Sequence, residues 1–220
     1  STVSANTTSG FSIVSYTGNG TGSSTVGHGL GVAPAYVIIK NTSSTDAWQV
    51  FPTGATRLVL NSTAADYGNY PITKGATTIT LPSQVDNAWN TNGQTYIMYC
   101  FTDVQGYSKV GGSYTGNGNA DGTFCYTGMK PSFIMIKRTS GTGGWFMFDN
   151  KRDTFNLTSR SLQADTSGAE NNYTAADTMN LDILSNGFKL KSTDGAVNGS
   201  GSTYIYMAFA ENPFVATSGT

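Results

Sequence analysis

The sequence predicts an all-β protein built as a tandem duplication of two similar antiparallel, jelly-roll-like β-sandwich units. Three observations carry this expectation. Short runs of β-branched and aromatic residues alternate with Gly-, Asn- and Ser-rich stretches, the pattern of strands joined by turns. No window sustains the 3.6-residue apolar period of an amphipathic helix. The phrase SYTGNG stands at residues 15–20 and again at 113–118, inside an ordered series of matches.

The series runs the length of the chain. GFS at 10–12 answers GYS at 106–108, and PAYVIIK (34–40) answers PSFIMIK (131–137). Trp48 in WQVF answers Trp145 in WFMF, and RLVLNSTAAD (57–66) answers RSLQADTSGAE (160–170) with one residue inserted. NTNGQTYIMYCFTD (90–103) answers NGSGSTYIYMAFAE (198–211). Compositional bias produces single coincidences but not an ordered set whose spacing drifts only where loops are expected. The resulting division is an N-terminal extension over 1–8, a first sandwich over 9–104, a second over 105–214 and a C-terminal tail over 215–220.

Taken in order, SYTGNG reads as a strand running into a hairpin turn, because Gly-Asn-Gly accepts positive φ. In the next strand Val37 and Ile39 share one face, opposite Tyr36 and Ile38; Ile134 and Ile136 oppose Phe133 and Met135 in the second copy. Apolar residues on both faces mark central strands. The last strand sets Ile97, Tyr99 and Phe101 against Tyr96, Met98 and Cys100, and later Ile205, Met207 and Phe209 against Tyr204, Tyr206 and Ala208. Trp48 with Val50, and Trp145 with Met147, open a further strand and are expected to anchor each core. Pro34 and Pro131 precede or begin strands, where a missing N–H is tolerated. A propeller would need more copies and a parallel β-helix a shorter repeat.

Composition excludes several classes of function. Twelve basic and thirteen acidic side chains nearly cancel, and charged residues make up 11 % of the chain against the usual quarter or so. A nucleic-acid partner would call for a basic excess. No apolar run approaches the ~20 residues of a membrane-spanning helix. The opening STVSANTTSG lacks the basic and apolar regions of a signal peptide; Ser1 either follows a removed Met or marks a cut from a longer protein. Cys100 and Cys125, flanked by Tyr99, Phe101, Phe124 and Tyr126, read as free, buried thiols, with a disulfide as the alternative.

No chemistry-bearing cluster emerges, so no catalytic, metal or cofactor residues are assigned and the protein is expected not to be an enzyme. The single histidine, His28 in VGHGLG, has a Tyr–Thr pair at the corresponding place and reads as a turn residue. A His-based metal site would want two or more histidines, and a Ser–His–Asp triad could recruit only His28 as its base, with no serine in a G-x-S-x-G elbow to partner it. Most carboxylates sit in Asn- and Gly-rich turns, where Asp is expected for its turn chemistry. Asp103 and Glu211, equivalent in the repeat, are expected to accept backbone N–H bonds where the last strand exits. Tyr67, Tyr70, Trp89 and Tyr173 lie in the polar 64–92 and 163–180 segments and are the candidate exposed binding residues. Flat aromatic faces with a hydrogen-bonding edge suit sugars and subunit interfaces. The competing role for the same rings is to pin down long loops.

GFSIVSYTGNG, VGHGLGVAPAYVIIKN, GYSKVGGSYTGNGNADGTFCYTGMKPSFIMIKR and STYIYMAFAENPF together resemble a repeated β-rich domain of tailed-bacteriophage virion proteins, often described as tail-fibre or tail proteins. The resemblance covers about residues 9–214. It implies a structural protein exposed on the virion surface, as a tail-fibre or receptor-binding component or a capsid decoration protein. The implied partners are other tail or capsid proteins, host-surface glycans and further copies of the chain, a trimer being common in phage fibres. Members of this kind often carry the repeats in longer chains; the charge-poor exterior and tight duplication fit a separate small decoration protein and a fibre component alike. A secreted lectin-like module and a polysaccharide depolymerase are the alternatives.

Overall fold

The computed structural model describes residues 1–172 and 179–213, and among these it contains strands and no helix. The chain divides into two compact units: residues 1–61 with 66–103, and residues 62–65 with 104–220. The expected tail at 215–220 lies outside the described residues.

In the first unit the strands are β1 (Thr2–Asn6), β2 (Phe11–Thr17), β3 (Thr25–Gly27), β4 (Tyr36–Asn41), β5 (Gln49–Pro52), β6 (Leu58–Val59), β7 (Thr73–Lys74), β8 (Thr78–Thr80) and β9 (Thr95–Phe101). They form a six-stranded sheet in the order β1-β2-β9-β4-β5-β6 and a three-stranded sheet β3-β8-β7. The residues expected to form an extension thus supply β1, an edge strand paired to β2 from Thr2–Ser15 to Asn6–Phe11.

The second unit contains β10 (Ser108–Thr115), β11 (Phe124–Tyr126), β12 (Pro131–Arg138), β13 (Trp145–Asp149), β14 (Arg160–Gln163), β15 (Asn171–Asn172), β16 (Leu181–Leu184), β17 (Gly187–Leu190) and β18 (Thr203–Ala210). Its sheets run β10-β18-β12-β13-β14-β15 and β11-β17-β16. Strand for strand this is the order of the first unit from β2 to β9, with β15 added at the edge where the first unit carries no strand. Every named pairing is antiparallel. First strand pairs with last and second with penultimate, as in a jelly roll. Unlike an eight-stranded jelly roll, the fourth and fifth strands widen the large sheet rather than crossing to the small one.

Alternation decides which residues enter each core. Val37, Ile39, Tyr96, Met98 and Cys100 face the small-sheet residues Val26 and Ile79. Ile134, Ile136, Tyr204, Tyr206 and Ala208 meet Cys125, Leu181, Ile183, Phe188 and Leu190 in the second unit. Trp48 and Trp145 do not anchor these cores. Trp48 stacks on Tyr99 with ring centroids 6.4 Å apart, on the other face of the large sheet. In β13 the core is filled by Phe146 and Phe148, and alternation turns Trp145 away, with the Lys137 ammonium 5.8 Å from its ring centroid. An aromatic at i+1 of the same strand took the role expected of the tryptophan.

SYTGNG is not a hairpin turn, because the strand after it joins the other sheet. It is one half of a clamp. Tyr16 stacks on Tyr96 at 5.0 Å and donates its hydroxyl to the Trp89 carbonyl at 2.7 Å; Tyr114 stacks on Tyr204 at 4.9 Å and donates to the Val197 carbonyl at 2.6 Å. Burial raises the pKa of both Tyr16 and Tyr114, so these hydroxyls stay neutral donors. The asparagines then exchange bonds. The Asn19 N–H donates to Asn90 Oδ1 at 3.1 Å and Asn90 Nδ2 to Asn19 Oδ1 at 3.0 Å. The Asn117–Asn198 pair repeats this at 3.1 and 2.8 Å. The chains approach so closely that a Cβ at Gly18 would lie 2.2 Å from the Thr91 carbonyl oxygen, and one at Gly116 2.4 Å from that of Gly199.

His28 is also more than a turn residue. It is wholly buried after β3, where its Nδ1 accepts the Leu30 N–H at 3.3 Å and its Nε2 faces the Gly75 carbonyl at 3.1 Å. That pairing requires the proton on Nε2. The two cysteines are free and buried, Cys100 in β9 and Cys125 in β11.

Two measurements follow from this packing. Replacing Asn90 or Asn198 by Ala removes a buried amide and its three or four hydrogen bonds and should cost about 2–4 kcal/mol in urea denaturation; a loss below about 1 kcal/mol would remove the clamp from the account. Burial pushes the Cys100 thiol up to about 12 and raises Cys125 as well, so both stay protonated near neutral pH. A thiol reagent at pH 8 should therefore leave the folded protein unmodified and label both sulfurs only in denaturant.

Candidate functional site

The candidate site in the first unit grows from β6. The residue before it, Arg57, is fixed by the carboxylate of Asp66, which accepts the N–H groups of Thr56 at 2.8 Å, Arg57 at 2.9 Å and Gly68 at 3.0 Å. This is the turn chemistry expected of Asp, used here to fold the loop back on the strand. The Tyr67 N–H then donates to the Arg57 carbonyl at 3.0 Å. Tyr70 has φ of +53°, a left-handed conformation that costs a bulky side chain of order 1–2 kcal/mol and directs its ring inward.

Three of the four predicted aromatics converge on the guanidinium placed this way. Arg57 Cζ lies 4.3 Å from the ring centroid of Tyr67, 5.4 Å from that of Tyr70 and 5.9 Å from that of Trp89. The fork is held by hydrogen bonds: Nη1 donates to Gln49 Oε1 at 3.0 Å, and Nε and Nη2 donate to Asn69 Oδ1 at 3.1 and 2.8 Å. Tyr70 and Trp89 touch each other with centroids 5.5 Å apart. The arrangement is a cation clasped by π faces, each contact worth about 0.5–2 kcal/mol according to its exposure.

Not all of these residues are available to a ligand. Trp89 is 1 % exposed, against the expectation of an exposed ring, because its indole N–H is taken by the Gln84 carbonyl at 2.8 Å and its ring belongs to the core. Tyr70 is half-buried and packs against that core. Tyr67, 44 % exposed, presents the outer ring. Tyr173 lies outside the described residues. The site can thus stack one flat, C–H-rich or aromatic surface on Tyr67, with the guanidinium polarising the ring from behind.

Exposed aromatics elsewhere escaped the sequence reading. Phe124 and Tyr126 on β11 are 44 % and 65 % exposed, on the face opposite buried Cys125. The alternation in FCY contained that signal: if the cysteine points inward, its neighbours point out. Phe155, at 84 %, is the most exposed large apolar residue among those described, and nothing in its polar surroundings foretold it.

Among the described residues, no backbone N–H donates to the Glu211 carboxylate. Its carboxylate takes the Lys130 ammonium at 2.6 Å and the Asn150 amide at 2.7 Å, and these contacts, the Lys130 hydrogen bond foremost, lower its pKa. Among the described residues, no three His, Cys, Asp or Glu side chains gather as metal ligands.

Residues 1–213 match the family described as a domain of unknown function, DUF7483. No curated protein and no solved structure matches the chain.

A double-mutant cycle on Arg57→Ala and Tyr67→Ala tests the clasp. We expect a coupling energy of about 1 kcal/mol from chemical denaturation, and a coupling indistinguishable from zero would mean the two side chains are neighbours without interaction.

Proposed function

We propose that this chain, which belongs to the DUF7483 family over residues 1–213, is a non-enzymatic structural protein exposed on a tailed-phage virion, acting in attachment or particle assembly. The location rests on the phage-like phrases of the sequence. The observation that supports an attachment role is the Arg57 clasp. It gathers Tyr67, Tyr70 and Trp89 from two loops and leaves the Tyr67 ring half in solvent on a fixed support.

The mechanism is multivalent. One flat ring gives a weak contact, and many copies on one particle raise the effective affinity without any new contact. A homo-oligomer, such as the trimer common in phage fibres, provides the first level of that repetition; tail or capsid proteins provide the second. Preorganisation matters here because a loop already fixed loses less entropy on binding.

A lectin-like module is the second reading, favoured by the exposed pair Phe124 and Tyr126, whose side chains lie two residues apart on one face of a strand. In that case the ligand is a glycan wherever the protein resides.

Electron microscopy of purified phage particles carrying this gene, with an antibody against the chain, separates the two. The expected result is regular labelling on the tail or the capsid. Particles that lack the protein while it accumulates free and retains glycan binding would overturn the virion assignment in favour of the lectin-like module.

A further inference from the structure

The edges of the sheets are not alike. An edge strand carries a row of backbone N–H and C=O groups that a second chain can pair with, and folded proteins blunt such edges by shortness, a bulge, proline or charge. Among the described residues, β6, β7 and β15 are two residues long, and β3 and β11 three. β16 carries Asp182, and the pairing of β10 shifts register between Lys109 and Gly112. β1 has none of these protections. Its five residues, TVSAN, are all exposed, include no charge or proline, and pair with β2 in unbroken register. Residues 1–39 contain no Asp, Glu, Lys or Arg at all.

Which groups of β1 face outward follows from the pairing of β2. At the two ends of β2, the Thr102 N–H donates to the Gly10 carbonyl and the Gly18 N–H to the Gln94 carbonyl, both at 2.8 Å. Hydrogen-bonded pairs alternate along an antiparallel ladder. Even-numbered residues of β2 therefore bond β9, and Phe11, Ile13 and Ser15 turn their N–H and C=O toward β1. Their partners Asn6, Ser4 and Thr2 spend theirs on β2. Val3 and Ala5 are left directing their N–H and C=O groups to the open edge. The strand is seated as it does so: a Cβ at Gly29 would lie 2.9 Å from Val3 Cγ1 and 3.1 Å from Ala5 Cβ, so both side chains lie against that glycine.

Groups presented in this way complement themselves. Two copies of β1 set antiparallel about a twofold axis at Ser4 place Val3 of each opposite Ala5 of the other, and every outward N–H and C=O of the two residues finds a partner. Sliding the register by two residues leaves half of them unpaired within the strand. The side chains brought opposite each other are Val with Ala, Ser with Ser and Thr with Asn, all small and uncharged, so nothing repels the second copy. A foreign strand meets no charge here to select it, whereas the chain's own strand matches by symmetry.

We propose that β1 is a self-association edge, to which β1 of a second copy adds antiparallel, joining two six-stranded sheets into one continuous sheet. An isologous contact of this kind closes at two copies. A seam of one short strand falls below the roughly 800 Å² per partner of a standard stable interface, so the dimer is weak, in the range of about 10 μM to 1 mM, and strengthens where many copies are held together. The contact is separate from the Arg57 clasp and stands wherever the protein resides.

Sedimentation equilibrium of the full chain up to about 1 mM, with a cysteine scan of β1, tests it. The expected result is a monomer–dimer equilibrium that Ala5→Pro weakens roughly tenfold or more. Proline there removes an N–H that β2 does not use, and edge strands tolerate it, so the variant keeps its fold. The scan needs no such variant. Ser4 stands opposite itself at a non-hydrogen-bonded position, with Cα atoms about 4.5 Å apart, inside the span of a disulfide. Ser4→Cys should therefore form a covalent dimer under mild oxidation. Thr2→Cys or Asn6→Cys alone, roughly 13 Å from its symmetry mate, should do so about tenfold more slowly or not at all, and a mixture of those two variants should recover cross-linking. The native Cys100 and Cys125 are buried and do not compete. A chain that stays monomeric at about 1 mM, a dimer unaffected by Ala5→Pro, or cross-linking as fast through Thr2→Cys alone as through Ser4→Cys would each overturn the proposal.

Discussion

Two buried amides, those of Asn90 and Asn198, fix the geometry on which each unit depends. Hydrophobic burial supplies most of the stability: a buried Phe, Leu or Ile contributes about 1.5–3 kcal/mol against roughly 1 kcal/mol net for a hydrogen bond. Burial alone does not select one strand register here. The central strands are apolar on both faces, so a slip exposes little polar surface to the core and costs less than it would in a one-sided sheet. The asparagine exchange forbids the slip. Each amide reaches across to the loop that follows β2 or β10, and only one alignment of that strand with β9 or β18 satisfies all of its bonds. The stacked tyrosines beside it, Tyr16 on Tyr96 and Tyr114 on Tyr204, close the same end of the core with apolar area.

The surface features rest on the same economy of polar groups. Asp66, Asp149 and Asp153 each spend a carboxylate on two or more backbone N–H groups, which converts long loops into fixed platforms. In a chain with so few charges, this use of acids for architecture leaves the aromatic rings as the main features able to engage another molecule. Tyr67 in the first unit and Phe155 in the second are both carried by such loops, though their settings differ: one ring lies against a cation, the other stands almost fully in solvent.

The all-β class and the two-sided strands were legible because alternation and turn residues are local signals. Val37 and Ile39, and Ile134 and Ile136, could be placed on one face from their spacing alone, and both pairs enter the cores. What could not be read was any role that depends on a distant partner. SYTGNG carries the residues of a turn, and its function as a clamp becomes visible only when Asn90 and Asn198 are brought alongside, more than seventy residues away. Trp48 and Trp145 looked like core anchors by size, yet the phase of the strand gives that place to Phe51, Phe146 and Phe148. Trp89 sat in a polar segment and was expected in solvent; its neighbour in space, the core, is not its neighbour in sequence. Arg57 showed no signal of its own, since a lone arginine acquires meaning only from the rings around it.

The pairing of Phe11 with Phe101, and of Ser108 with Phe209, sets the start of β2 beside the end of β9 and the start of β10 beside the end of β18. A body with adjoining ends can be spliced into a host chain, or strung after itself through a joint as short as residues 102–107, without disturbing any internal pairing. Modularity of this kind lets a gene grow by copying whole units, each arriving with its own lock.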